Sequence, residues 1–112
     1  MLSNRMMMAA AAGFGARGLF GGGPGSLDVI DYVTIASTGD ATDFGNLSVG
    51  RWALAGCSSS TRGLFGGGYT TVAVDTIDYV TIASTGNATD FGNLSVAREY
   101  LAGCSNDHGG LQ

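Results

Sequence analysis

Ile30-Asp31-Tyr32-Val33-Thr34-Ile35-Ala36-Ser37-Thr38-Gly39 returns as Ile77-Asp78-Tyr79-Val80-Thr81-Ile82-Ala83-Ser84-Thr85-Gly86. The match runs further: residues 30–58 reappear as residues 77–105 with four differences, Asp40/Asn87, Gly50/Ala97, Trp52/Glu99 and Ala53/Tyr100. Working outward, Arg17-Gly18-Leu19-Phe20-Gly21-Gly22-Gly23 recurs as Arg62-Gly63-Leu64-Phe65-Gly66-Gly67-Gly68. The long match is offset by 47 residues and the short one by 45, so a two-residue length change falls between residues 24–29 of the first copy and residues 69–76 of the second. Loops absorb such a change; hydrogen-bonded ladders do not.

Each copy reads as short strands. Leu54-Ala55-Gly56-Cys57-Ser58 is small and apolar, suited to an inner strand, and residues 63–67 form the next, ending in glycines that permit a sharp exit. Residues 75–83 carry the strongest strand signal, rich in β-branched and aromatic side chains. Ile77 and Tyr79 point one way and Val80 and Ile82 the other, as a strand covered on both faces requires. Ser84-Thr85-Gly86-Asn87 is a turn, and residues 88–95 supply a short outer strand with its loop. Residues 37–48 read the same way. About four antiparallel strands in 45 to 47 residues is the size of a propeller blade, in an all-β chain whose repeats stack on copies of one another.

Placing Arg17 on Arg62 sets residues 9–15 on residues 54–60, where an inner strand belongs. That reading is preferred over a secretory signal, although Arg5 followed by Met6-Met7-Met8-Ala9-Ala10-Ala11-Ala12-Gly13-Phe14 has the outline of one. The chain then divides into an N-terminal segment (1–8), a first repeat (9–50), a second repeat (51–97), and an extra inner strand with a tail (98–112). Two repeats leave apolar faces uncovered, so a ring of four to eight units would be completed by oligomerisation, with three or four chains sharing it, a longer parental protein being the other way to close the circle.

Bulk properties narrow the function classes. The 112 residues include 20 glycines and one proline, and 45% are apolar, which excludes plain disorder. The formal charge is −4, lysine is absent, and Arg5, Arg17, Arg51, Arg62 and Arg98 are scattered, so no duplex nucleic-acid partner is expected. No apolar run reaches the roughly 18 to 20 residues needed to span a bilayer as a helix.

Phe65-Gly66-Gly67, then Ile77-Asp78-Tyr79, then Phe91-Gly92-Asn93-Leu94 and Arg98, resembles the kelch repeat. That repeat has an apolar strand ending in Gly-Gly, a later Tyr, a downstream aromatic and an Arg opening the next blade. Phe44 and Phe91 stand where kelch blades usually carry Trp. The wording around Asp78-Tyr79-Val80-Thr81-Ile82-Ala83 and Gly86-Asn87-Ala88-Thr89-Asp90-Phe91-Gly92 is also similar to kelch-like repeats of marine bacteriophage virion proteins. The resemblance implies a kelch-like β-propeller with two blades per chain and a structural or adhesive role in a virion or another extracellular assembly. Virion proteins or surface glycans would then be partners.

Gly22, Gly23, Gly67 and Gly68 lack the Gly-Lys-Ser/Thr of a phosphate loop and are expected to shape strand ends. Asp31 and Asp78 lie inside strong strands, so Asp31 with Arg51 and Asp78 with Arg98 are candidate structural pairs. Asp40, Asp43 and Asn46, matched by Asn87, Asp90 and Asn93, space oxygens in a manner that suggests calcium, but too few for its six to eight ligands, and Asx turns are preferred. His108 is the single histidine, so no triad, zinc site or copper centre of the kelch-like oxidases can be assembled; no enzyme, cofactor or metal is expected. Cys57 and Cys104 occupy equivalent places and are read as small strand-filling thiols, an intersubunit disulfide being the alternative. Trp52, Tyr69, Glu99 and Tyr100 break the repeat identity and are the candidate ligand or interface residues, with Trp52, Tyr69 and Tyr100 able to stack on a sugar in a glycan-binding module.

Overall fold

A computed structural model describes residues 16–106. Its strands are β1 (Arg17–Gly21), β2 (Val29–Thr34), β3 (Thr42–Asn46), β4 (Ala55–Ser58), β5 (Arg62–Gly66), β6 (Thr76–Thr81) and β7 (Thr89–Asn93). They form two antiparallel sheets, β1-β2-β3 and β4-β5-β6-β7, and the described residues contain no helix. The all-β reading and the strand order within each repeat agree with the sequence. The inner strand expected at residues 9–15 lies outside the described residues, as do the segment 1–8 and His108.

The two sheets are built from the same local rules. Phe20 pairs with Asp31 as Phe65 pairs with Asp78, and both central strands change register at the same place, between Ile30 and Asp31 and between Ile77 and Asp78. A bulge of this kind twists the strand and re-aims the side chains that follow it. After each central strand the Ser37 and Ser84 amides donate back to the Thr34 and Thr81 carbonyls at 3.1 Å, closing the expected turns. The β4–β5 hairpin is tied by Ser59, whose hydroxyl accepts from the amides of Thr61 and Arg62 at 3.2 and 3.0 Å. That is the short-range hydroxyl capping that favours serine in turns.

The sheets pack face to face, and the core sits between them. Ile30, Phe44 and Leu47 of the first unit meet Phe65 and Val80 of the second, with Leu19, Tyr32, Leu54 and Ala88 at the margin. Each buried side chain of this size contributes about 1.5–3 kcal/mol through the water it sheds. Gly21 makes the contact possible: a Cβ there would press on the Phe65 ring at 3.0 Å. At the sheet edge, Gly86 and Ala88 of the second unit donate amide bonds to the Phe44 and Asn46 carbonyls of β3, at 2.9 and 2.8 Å. Polar and apolar contacts thus tie one unit to the next.

The extra inner strand expected within 98–112 does not form over its described part. Residues 101–105, although nearly identical to residues 54–58, have no strand hydrogen bonding, and Ser105 reaches the Ser58 carbonyl only through its hydroxyl, at 2.7 Å. The reason is the ladder partner: β4 is a strand because β5 pairs with it, and among the described residues no strand pairs with residues 101–105. Cys57 accordingly lies in β4 and is half-buried, whereas Cys104 is exposed and in no strand; both thiols are free. The strand-filling reading therefore fits Cys57 and not Cys104.

Candidate functional site

The most elaborate polar structure in the molecule is the junction between the units, built on the segment that leaves β3. Leu47 enters the core, and the chain then passes Ser48, Val49 and Gly50 before Arg51, which is fully buried. The Arg51 guanidinium donates from Nε to the Gly67 carbonyl at 2.6 Å, from Nη2 to the Phe65 carbonyl at 3.0 Å and from Nη1 to the Val49 carbonyl at 3.0 Å. Nη1 also contacts Asp78 Oδ2 at 3.1 Å, a salt bridge with both side chains at 0% exposure. Ser48 completes the carboxylate: its amide donates to Oδ2 at 3.0 Å and its hydroxyl to Oδ1 at 2.6 Å. A buried ion pair is tolerated when the remaining donors and acceptors are satisfied, and here four of the five guanidinium N–H groups and both carboxylate oxygens have partners.

This geometry corrects the proposed pairs. Asp31 with Arg51 and Asp78 with Arg98 would each close within one unit, whereas Arg51 of the first unit pairs with Asp78 of the second. The chain after β3 runs along the strand ends of the following sheet, so its arginine reaches forward. Arg98 is exposed and Asp31 half-buried, and among the described residues neither side chain makes a hydrogen bond or ion pair.

The glycines of both copies shape this junction, as expected for structural positions. Gly22 and Gly67 have φ of 78° and 68°, the left-handed region that favours glycine, and a Cβ on either would collide with the backbone carbonyl of Arg51 or Arg98. The amides of the next residues, Gly23 and Gly68, donate to those same carbonyls at 3.0 and 2.9 Å.

Three of the four residues that break repeat identity meet at the same junction. Trp52 and Tyr69 exchange two backbone hydrogen bonds, at 3.1 and 2.8 Å, and their rings lie edge to face with centroids 5.4 Å apart. Tyr100 adds a second edge contact to Trp52 at 5.7 Å, anchored by its amide on the Ala53 carbonyl at 2.8 Å. Glu99 is half-buried and stands apart from this cluster. The spacing of these aromatics, 17 and 31 residues, follows no strand period, so their mutual packing was not readable from the sequence.

Other expected sites resolve differently. Asn87 spends its side-chain oxygen on the Asn46 amide, at 3.1 Å, so it ties β3 to the second unit's turn. Among the described residues no group of three or more His, Cys, Asp or Glu side chains converges. A cleft of about 330 Å³ between β1 and the β4–β5 hairpin is lined by Leu19, Cys57, Leu64 and Ile82. Its one cation, Arg17, donates to the Ile82 carbonyl at 3.0 Å and lies 4.3 Å above the Tyr32 ring. Arg62 repeats the stack on Tyr79 at 4.4 Å. Sequence reasoning missed this pair, and also Ser48; the signal available was the recurrence of Arg17 as Arg62, one cross-strand neighbour from a tyrosine. No helix among the described residues is long and apolar enough to cross a membrane. Compared with known proteins, the chain matches no family model and no curated protein.

Proposed function

We propose that this chain is a noncatalytic structural or adhesive protein whose two sheets are kelch-like blades of a β-propeller completed by self-association, in a virion or another extracellular assembly. The observation that carries the reading is a difference in exposure between repeat-equivalent residues. Phe44 is 3% exposed and Phe91 52%; Phe65 is 7% exposed and Phe20 64%. One face of each unit is made to receive the other, and the two outer faces keep the same side chains without a neighbour among the described residues. Units that stack through unlike faces propagate until a ring closes. The virion setting rests on the kelch-like resemblance alone. Size-exclusion chromatography with light scattering tests the reading: three or four chains per particle are expected, and a stable folded monomer at all concentrations overturns it.

A second reading, a multivalent glycan-binding module, is favoured by the convergence of Trp52, Tyr69 and Tyr100. Tyr100 is 72% exposed, leaving an aromatic surface on which a sugar ring could stack. A glycan array probed with the chain, followed by Tyr100→Ala on any positive, separates the two: a signal lost in the variant supports binding, and an array without signal leaves the structural reading alone.

A further inference from the structure

Among the described residues, the junction inside the chain has an unfilled copy at each end of it. We infer that Arg98 of one chain enters the Asp31 pocket of a second copy, head to tail, as Arg51 enters the Asp78 pocket within the chain. This rests on the self-association proposed above and names the contact that drives it.

The pocket that holds Arg51 consists of the Phe65 and Gly67 carbonyls, Asp78, and the preceding Val49 carbonyl and Ser48. The repeat supplies every counterpart: Phe20, Gly22 and Asp31 on the first unit, and Ser95, Val96 and Arg98 on the second. The backbone geometry matches too. Phe20 is paired with Asp31 in the same register as Phe65 with Asp78, and Gly22 has nearly the φ of Gly67. An arginine and an aspartate with complementary charge are thus each left without a polar partner among the described residues, on opposite ends of one molecule. Among the described residues no arginine stands ahead of the first unit; Arg5, one place from the position that the 45-residue offset gives for Arg51, lies outside them.

The apolar and backbone surroundings agree. The tail face offers Phe91 and Val96, 52% and 62% exposed, with Leu94 and Ile77 beside them, and the head face offers Phe20 and Val33. A Cβ on Gly45 would collide with the Gly86 carbonyl of the next unit, while one on Gly92 would meet nothing within 4 Å. The space that the second unit fills at Gly45 stands open at Gly92, shaped for the Gly39 turn of another copy. The contact between chains differs in one respect. At the place of Tyr69 the first unit has Pro24, which has no amide to donate, so the two-bond bridge that Trp52 makes with Tyr69 cannot form between Glu99 and Pro24. The contact between chains therefore lacks one tie that the internal junction has.

Two variants of the full chain, each with one end disabled, test the inference: Arg98→Glu, which leaves the head intact, and Asp31→Ala, which leaves the tail intact. Both positions lie away from the internal core, and circular dichroism checks that each variant folds. Wild type is expected to assemble, each variant alone to be monomeric with association weakened by roughly a hundredfold or more, and an equimolar mixture to give a one-to-one dimer by light scattering. Arg98→Lys, which keeps the charge and loses the fork of donors, is expected to assemble more weakly than wild type. If wild type assembles and Arg98→Glu assembles equally well, this contact is wrong while the ring stands. A wild type that stays monomeric overturns both. Assembly of either variant alone into symmetric dimers would mean that like faces meet, which also rejects the contact.

Discussion

Arg51 and Arg98 stand in the same local sequence, Asn-Leu-Ser-Val-x-Arg, yet one is wholly buried and the other exposed. What separates them is only whether a sheet follows. The same holds for Asp78 and Asp31, and it allows a controlled comparison within one molecule. Asp78→Ala removes one partner of a buried pair and strands the Arg51 guanidinium, so it should lower unfolding stability by about 3–5 kcal/mol. Asp31→Ala, measured at a concentration where the chain is monomeric, should change stability by less than about 1 kcal/mol. Urea denaturation of the two variants checks this; equal losses would contradict the assigned pocket. Phe44→Ala and Phe91→Ala should divide in the same way, with about 3–5 kcal/mol for the buried ring and a few tenths for the exposed one.

The equivalent β1–β2 and β5–β6 connections carry a coupled pair of differences. A Cβ on Gly50 would run into the Ser26 carbonyl, and in the second unit this position is Ala97. The second unit also has the longer loop, in which Thr70 donates to the Val72 carbonyl at 3.0 Å and Tyr69 pairs with Ala73. The first unit passes the same point with Pro24-Gly25 and with Ser26 at a φ of 57°. The length change and the Gly/Ala change therefore belong together: the short loop brings a carbonyl against residue 50. Gly50→Ala should cost about 1–3 kcal/mol, as overpacking does, and replacing Pro24-Gly25 by the longer loop sequence in the same variant should recover most of it. Thermal melts of the single and combined variants decide the matter. Strand positions were legible because β-branched runs, glycine ends and Ser-Thr-Gly turns act locally. The junction was not, because Arg51 answers to Asp78 across 27 residues, and a near-identical repeat offers the wrong aspartate and the right one in equal terms. The Trp52, Tyr69 and Tyr100 cluster was visible only as three departures from identity; that they meet depends on how the units stack.

At the scale of the whole molecule, the five buried apolar side chains among the described residues make a small core for two sheets, so a single chain is expected to be only marginally stable. Binding of native chains to each other adds stability by mass action. The melting temperature should therefore rise with protein concentration, by several degrees over a hundredfold range, as scanning calorimetry or fluorescence would record. A concentration-independent melt would speak against self-association. The aromatic cluster has a further consequence for how such a chain finds its structure. Two nearly interchangeable units invite mistaken docking during folding, since the tail of the second unit fits the head of any unit, including that of a neighbouring nascent chain. Trp52 is absent from the second unit and Tyr69 from the first, so only a first-unit tail docked on a second-unit head can complete the ring contact. These aromatics act as an address written on otherwise duplicate parts, and the copy of that address within easiest reach is the one on the same chain.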